Sequence, residues 1–126
     1  MHVFFKQALK GEPITVHGDG SQKRTLTYVD DVVDGCASAL ARPQDAKGQI
    51  FNITGAEQIS ALGMANDIKT LTGSTSKIVF VPQRAFNTQT EDPDVSKAKR
   101  LLGWEAKVPF SEGLKKTLPW IKEAVS

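Results

Sequence analysis

Hydrophobic residues recur at helical spacing over Phe4, Phe5, Ala8 and Leu9, and Gly11 ends that run before Pro13 can disrupt it. With no capping side chain ahead of Phe4-Phe5, this short helix reads as the tail of an element that begins upstream. Ile14-Thr15-Val16 and residues 25–29 are rich in β-branched and aromatic side chains, and the Gly/Asp/Ser cluster between them supplies turn chemistry. Two short strands are predicted there. A helix to about Arg42 follows, with Asp30 or Asp31 as its cap and Val32, Val33, Cys36, Ala37 and Leu40 as its apolar stripe.

Residues 49–54 predict a strand, and Ser60 predicts the cap of a helix with the apolar face Leu62, Met64, Ala65, Ile68 and Leu71, ended by Gly73. Residues 77–81 are continuously apolar beyond their lysine, the pattern of a strand covered on both faces, and Pro82 closes it. The polar, aperiodic stretch 83–94 reads as an exposed loop. Asp94 or Ser96 starts a short helix through Leu101-Leu102, stopped by Gly103. Leu114, Leu118, Ile121 and Val125 then mark a last amphipathic helix that Pro119 should kink or restart. The order is α/β with few, short strands, and 126 residues suit one domain over residues 1–126.

Composition excludes more than it assigns. With 40% hydrophobic and 24% charged residues the chain is an ordinary globular sequence, not a disordered or fibrous one. The net charge of +2 is interleaved with acids over residues 97–107 and 112–123, so no basic face for nucleic acid is expected. No apolar run approaches the roughly 20 residues needed to span a bilayer, and Met1 to Phe5 lacks a signal peptide's apolar core. No membrane association is expected, and a cytoplasmic location is the default. Cys36 is the only cysteine, which excludes an intrachain disulfide, and it reads as a small buried hydrophobe. His2 and His17 make neither a zinc site nor a triad. Asp30, Asp31 and Asp34 suit a capped, solvated first turn better than a metal site, and Trp104 and Trp120 suit packing.

One segment carries candidate chemistry. In Gly18-Asp19-Gly20-Ser21-Gln22-Lys23-Arg24 the glycines permit positive φ and close approach to a ligand, while Arg24 offers a fork of donors matched to phosphate oxygens. A plain hairpin with a solvated arginine has the same residues, so the turn alone leaves both readings open.

Its surroundings are more specific. Gly11-Glu12-Pro13, Gly18-Asp19-Gly20-Ser21-Gln22-Lys23-Arg24 and Tyr28-Val29-Asp30-Asp31-Val32 stand in order. Phe51-Asn52-Ile53-Thr54-Gly55, Pro93-Asp94-Val95-Ser96-Lys97-Ala98, Leu102-Gly103-Trp104 and Glu112-Gly113-Leu114 follow. Together they resemble the C-terminal part of the extended short-chain dehydrogenase/reductases, the NAD-dependent nucleotide-sugar epimerase/dehydratase family. The most similar branches are UDP-glucuronate decarboxylase, dTDP-glucose 4,6-dehydratase and UDP-glucose 4-epimerase. The resemblance covers essentially the whole chain.

It implies a small α/β substrate-binding domain, with NAD held by a Rossmann half that this chain lacks. It further implies that Arg24 pairs with the diphosphate of a nucleotide sugar. Val16 and His17 would line the base and ribose, with Gln22 beside them. The chain departs from the family pattern in three places. His17 replaces the family's usual tyrosine or phenylalanine. Glu91 stands where the family has a second diphosphate-binding arginine, and a carboxylate there repels the diphosphate; Arg84, earlier in the loop, is the candidate substitute. Neither a dinucleotide fingerprint nor the family's Tyr-x-x-x-Lys pair is present, since Tyr28 is the only tyrosine and is followed four residues later by Val32.

No catalytic, cofactor-binding or metal-binding residue is therefore assigned, and the chain alone is expected to be catalytically silent. The alternative is a non-enzymatic binding or interaction protein. With the partner half absent, Phe4, Phe5 and the Ile78 to Phe80 region are expected to be exposed and to support a homo-oligomer or association with a Rossmann half.

Overall fold

The computed structural model describes residues 1–83, 85 and 92–125. Among these the chain runs α1 (His2–Leu9), β1 (Ile14–His17), β2 (Lys23–Thr25), α2 (Val29–Ala41), α3 (Pro43–Ala46), β3 (Gln58–Ser60), α4 (Ala61–Thr72), β4 (Ile78–Val81), α5 (Ser96–Leu102) and α6 (Phe110–Val125). The fold is small, mixed α/β, as the pattern predicts. Strands β1 and β4 pair, as do β2 and β3. The chain divides into two compact units, one of Met1–Arg24, Ile59–Glu91 and Leu114–Ser126, the other of Thr25–Gln58 and Asp92–Gly113.

In the first unit β1 and β4 are parallel, with Ile14 opposite Ile78 and His17 opposite Val81. Helices α1 and α4 pack on each other and on β1. Phe5, Ile14, Val16 and Ile68 lose essentially all solvent contact, each burial worth about 1.5–3 kcal/mol. The Gln7 amide covers the β1 backbone, accepting the Thr15 N–H at 3.1 Å and donating to Thr15 Oγ1 at 3.0 Å. Helix α4 begins and ends on the residues its sequence marks: Ser60 Oγ accepts the Gly63 N–H at 2.9 Å, and Gly73 closes the helix at φ 65°.

Four expectations fail here for identifiable reasons. Phe5 belongs to the core, so of the expected surface only Phe80 is strongly exposed and Phe4 is half-buried. That same exposure of Phe80 shows β4 is not covered on both faces; among the described residues it pairs with β1 alone, which gives less cover than its apolar run suggests. Helix α6 does not restart at Pro119 but runs on to Val125; Pro119 and Lys115 are both exposed, so the carbonyl that loses its partner is on the watered side. Trp120, beside that proline, is 62% exposed instead of packed.

In the second unit α2, α3 and α5 pack against one another. Ala98, Leu102 and Trp104 form the core, with Ala39, Phe51, Ile53 and Val95 against it. Asp31 does not cap α2. Tyr28 holds the cap position without a side-chain bond, and the Asp31 carboxylate, 3% exposed, accepts the backbone N–H groups of Lys107 and Val108, each at 3.0 Å. The Trp104 indole N–H donates to the Asp31 carbonyl at 3.0 Å. At Gly35 a Cβ would come within 3.0 Å of Ile53 Cδ1.

Asp31 and Gly35 are thus the face of α2 that turns inward, and the apolar stripe read from the sequence points outward. Val29, Val32, Val33 and Leu40 are exposed, Leu40 by 82%, and Cys36 is exposed instead of buried. Residues 49–54 form no strand, and Ile50 is 85% exposed. β-propensity records fitness for a ladder, and no described residue pairs with this segment. Strand β2 (Lys23–Thr25) shares only Thr25 with the strand expected over residues 25–29; residues 26–28 are not strand, and Val29 already opens α2. Arg84 and Glu91 lie outside the described residues.

Candidate functional site

Strand β1 delivers the chain to a turn whose shape depends on two glycines. Gly18 has φ 65° and Gly20 φ 75°, as the motif requires. A Cβ on Gly20 would sit 2.8 Å from Val16 Cγ1 and 2.9 Å from Leu62 Cβ, and one on Gly18 would overlap the Gln83 side-chain oxygen. The backbone then ties the turn to both neighbours. Gly18 N–H donates to the Val81 carbonyl at 2.8 Å, and the first N–H groups of α4, at Ala61 and Leu62, donate to the carbonyls of Gln22 and Gly20 at 3.0 Å. Helix α4 is thereby capped by the turn itself.

Side chains complete it. Asp19 Oδ1 accepts the Ser21 N–H at 2.9 Å and the Ser21 hydroxyl at 2.6 Å, and these bonds hold the Asp19 carboxyl below its ordinary value of 3.8. Gln22, 8% exposed, donates from Nε2 to the His17 carbonyl at 3.1 Å. His17 Nδ1 lies 3.0 Å from the Pro82 carbonyl, and because a carbonyl only accepts, Nδ1 carries the proton in that contact. Arg24 Nη1 donates to the Lys23 carbonyl at 2.8 Å.

The four residues singled out in the sequence therefore divide. The Val16 side chain lies in the core beneath Gly20, and the Gln22 amide is spent on the turn backbone. His17 and Arg24 stay partly exposed beside it. The structure adds Asp19, Ser21 and Gln83, which with Gly18 line a hollow of about 240 Å³. Two signals point to these residues. Asp19 and Ser21 stand at the spacing of an Asx turn. Gln83 follows a strand parallel to β1, and ligands gather at the carboxyl ends of parallel strands.

What the turn does not suit is equally plain. It leads from β1 into β2, whereas a dinucleotide-binding glycine turn leads from a strand into a helix, so these residues do not fit NAD. Among the described residues no cluster of His, Cys, Asp or Glu could hold a metal ion, and no helix is long and apolar enough to cross a membrane.

Comparison with known proteins agrees along the whole chain. Residues 2–117 match the family model described as GDP-mannose 4,6 dehydratase. UDP-glucuronic acid decarboxylase 1 of Danio rerio is 42% identical over 117 residues, covering 93% of this chain and 27% of its own length. UDP-N-acetyl-alpha-D-glucosaminuronate decarboxylase of Bacillus cytotoxicus is 37% identical, covering 95% of this chain and 39% of its own. Among solved structures, a UDP-glucuronic acid 4-epimerase from Bacillus cereus in complex with UDP-glucuronic acid and NAD superposes with a TM-score of 0.91. It is 32% identical and covers 98% of this chain and 39% of its own. The chain thus spans less than two-fifths of the length of these relatives. It belongs to the GDP-mannose 4,6 dehydratase family, among the NAD-dependent extended short-chain dehydrogenase/reductases.

Proposed function

We propose that this chain supplies the nucleotide-sugar-binding portion of an NAD-dependent epimerase, dehydratase or decarboxylase, and turns over no substrate by itself. The observation that carries this reading is the match, over nearly all of the chain, to an epimerase holding UDP-glucuronic acid and NAD. Arg24 is the residue for the diphosphate, since its planar fork of donors pairs two phosphate oxygens at once. Val16 and His17 serve the base and ribose through the end of β1, and Gln22 serves them by holding the His17 carbonyl in place. Hydride chemistry needs NAD and an acid/base pair, for which this sequence offers neither the fingerprint nor Tyr-x-x-x-Lys. The chain's contribution is affinity and positioning, which supply much of the rate in such enzymes.

The outward stripe of α2 supports a second element of the reading. Val29, Val32, Val33 and Leu40 leave one helix presenting four exposed apolar side chains, and Ile50 is exposed in the same unit, the kind of residues that a partner surface covers. We propose that a Rossmann-type half covers it and adds a strand along residues 49–54; a homodimer on the same face is the competing result. Calorimetry with UDP, dTDP and UDP-glucuronic acid tests binding. Saturable heat that is lost in Arg24→Ala supports the site. Turnover of UDP-glucuronic acid with NAD by the purified chain alone would overturn the proposed silence.

A further inference from the structure

The hollow beside Gly18 differs in chemistry from Arg24, which follows in the same segment of sequence. Its described lining is Gly18, Asp19, Ser21 and Gln83: one carboxylate, one hydroxyl, one amide and no cation. A carboxylate repels a diphosphate, so the described lining does not suit the part of the ligand that Arg24 serves. Both Ser21 bonds fall on a single oxygen of Asp19, Oδ1, and leave Oδ2 outside them. Gln83 is exposed, and Gly18, lacking a Cβ, is what lets its amide oxygen lie over the turn. An acceptor-only carboxylate beside an amide that both donates and accepts is matched by a neutral group carrying adjacent hydroxyls.

We propose that Asp19 and Gln83 bind a vicinal diol of the nucleotide sugar, with the Asp19 carboxylate accepting from the diol and the Gln83 amide bridging to a neighbouring oxygen. Resting on the nucleotide-sugar reading above, this assigns the turn two jobs, an uncharged sugar end at Asp19 and a charged end at Arg24. The bonds from Ser21 lower the Asp19 carboxyl below its ordinary value, which favours the charged acceptor. The diol is that of the ribose or that of the hexose, and the choice of probe separates them.

The test titrates UDP, 2′,3′-dideoxy-UDP and UDP-glucuronic acid into the wild type, Asp19→Asn, Gln83→Leu and Arg24→Ala. Asparagine keeps an oxygen for the Ser21 bonds and removes the charge. A loss of about tenfold in UDP affinity in Asp19→Asn, with dideoxy-UDP binding both proteins alike, assigns the ribose diol. The same loss confined to UDP-glucuronic acid assigns the hexose. Unchanged affinity for every probe in Asp19→Asn and Gln83→Leu, while Arg24→Ala binds poorly, overturns this inference and leaves the nucleotide-sugar reading intact. No binding of any probe to the wild type removes both.

Discussion

The turn in the first unit and the outer face of α2 in the second are finished to different degrees. Around Gly18 to Gln22 nearly every polar group is committed: carbonyls of the turn cap α4, Asp19 holds Ser21, and Gln22 holds His17. Such a surface keeps one shape in the absence of ligand, which suits a small molecule bound by a few well-placed groups. Helix α2 is equally well held from within, by Asp31 and Gly35, yet presents valines and a leucine to water. Both regions are thus held by hydrogen bonds from within while the outward chemistry differs, one polar and the other apolar. In the function proposed above, the first takes the nucleotide sugar and the second a protein surface.

Substitutions that strike what holds each region from within should have the largest effects. Gly20→Val places a β-branched side chain at φ 75° against Val16 and Leu62 and is expected to cost about 3 kcal/mol or more, read as a lowered midpoint in thermal unfolding. Asp31→Ala leaves the N–H groups of Lys107 and Val108 without their acceptor and should cost about 2–3 kcal/mol by denaturant titration. A smaller loss would mean that water replaces the carboxylate.

The polar half of this contrast is legible in the residues themselves. The caps at Ser60 and Gly73 and the positive-φ glycines of the turn follow from residue type alone, because each is decided within a few residues. What escapes local pattern is decided at long range. Asp31 looks like a cap until Lys107 and Val108 arrive from more than seventy residues away. That contact turns the apolar stripe of α2, with Cys36, to the outside. Residues 49–54 have the side chains of a strand and pair with no described strand, a distinction that no local pattern contains. In the turn, Arg24 is visible as a charge next to glycines, whereas Gln83 joins only through the parallel pairing of β1 with β4.

Outward-facing substitutions sharpen the comparison because they should spare stability. Val33→Asp with Leu40→Asp is expected to change stability by about 0.5 kcal/mol or less per site. The same double variant should abolish association with a Rossmann-type half, or a homodimer if that is the occupant, by light scattering. An association that survives it would place the interface elsewhere. The smallest effect concerns pH. The carboxyls of Asp19 and Asp94 are lowered from 3.8 by hydrogen bonds from Ser21 and Ser96. A depressed folded-state value contributes stability above the unfolded one, lost as pH falls through the folded one. Asp94→Asn should therefore lower the unfolding midpoint slightly at pH 7 and have less effect near pH 2.

Titration of UDP-glucuronic acid into ¹⁵N-labelled chain, followed amide by amide, compares the two regions in one experiment. Saturable shifts confined to the turn, from His17 to Arg24 and Gln83, with α2 unmoved and the response lost in Arg24→Ala, are the expected result. Absence of saturable shifts at the turn, or shifts that persist unchanged in Arg24→Ala, would contradict a nucleotide-sugar site there.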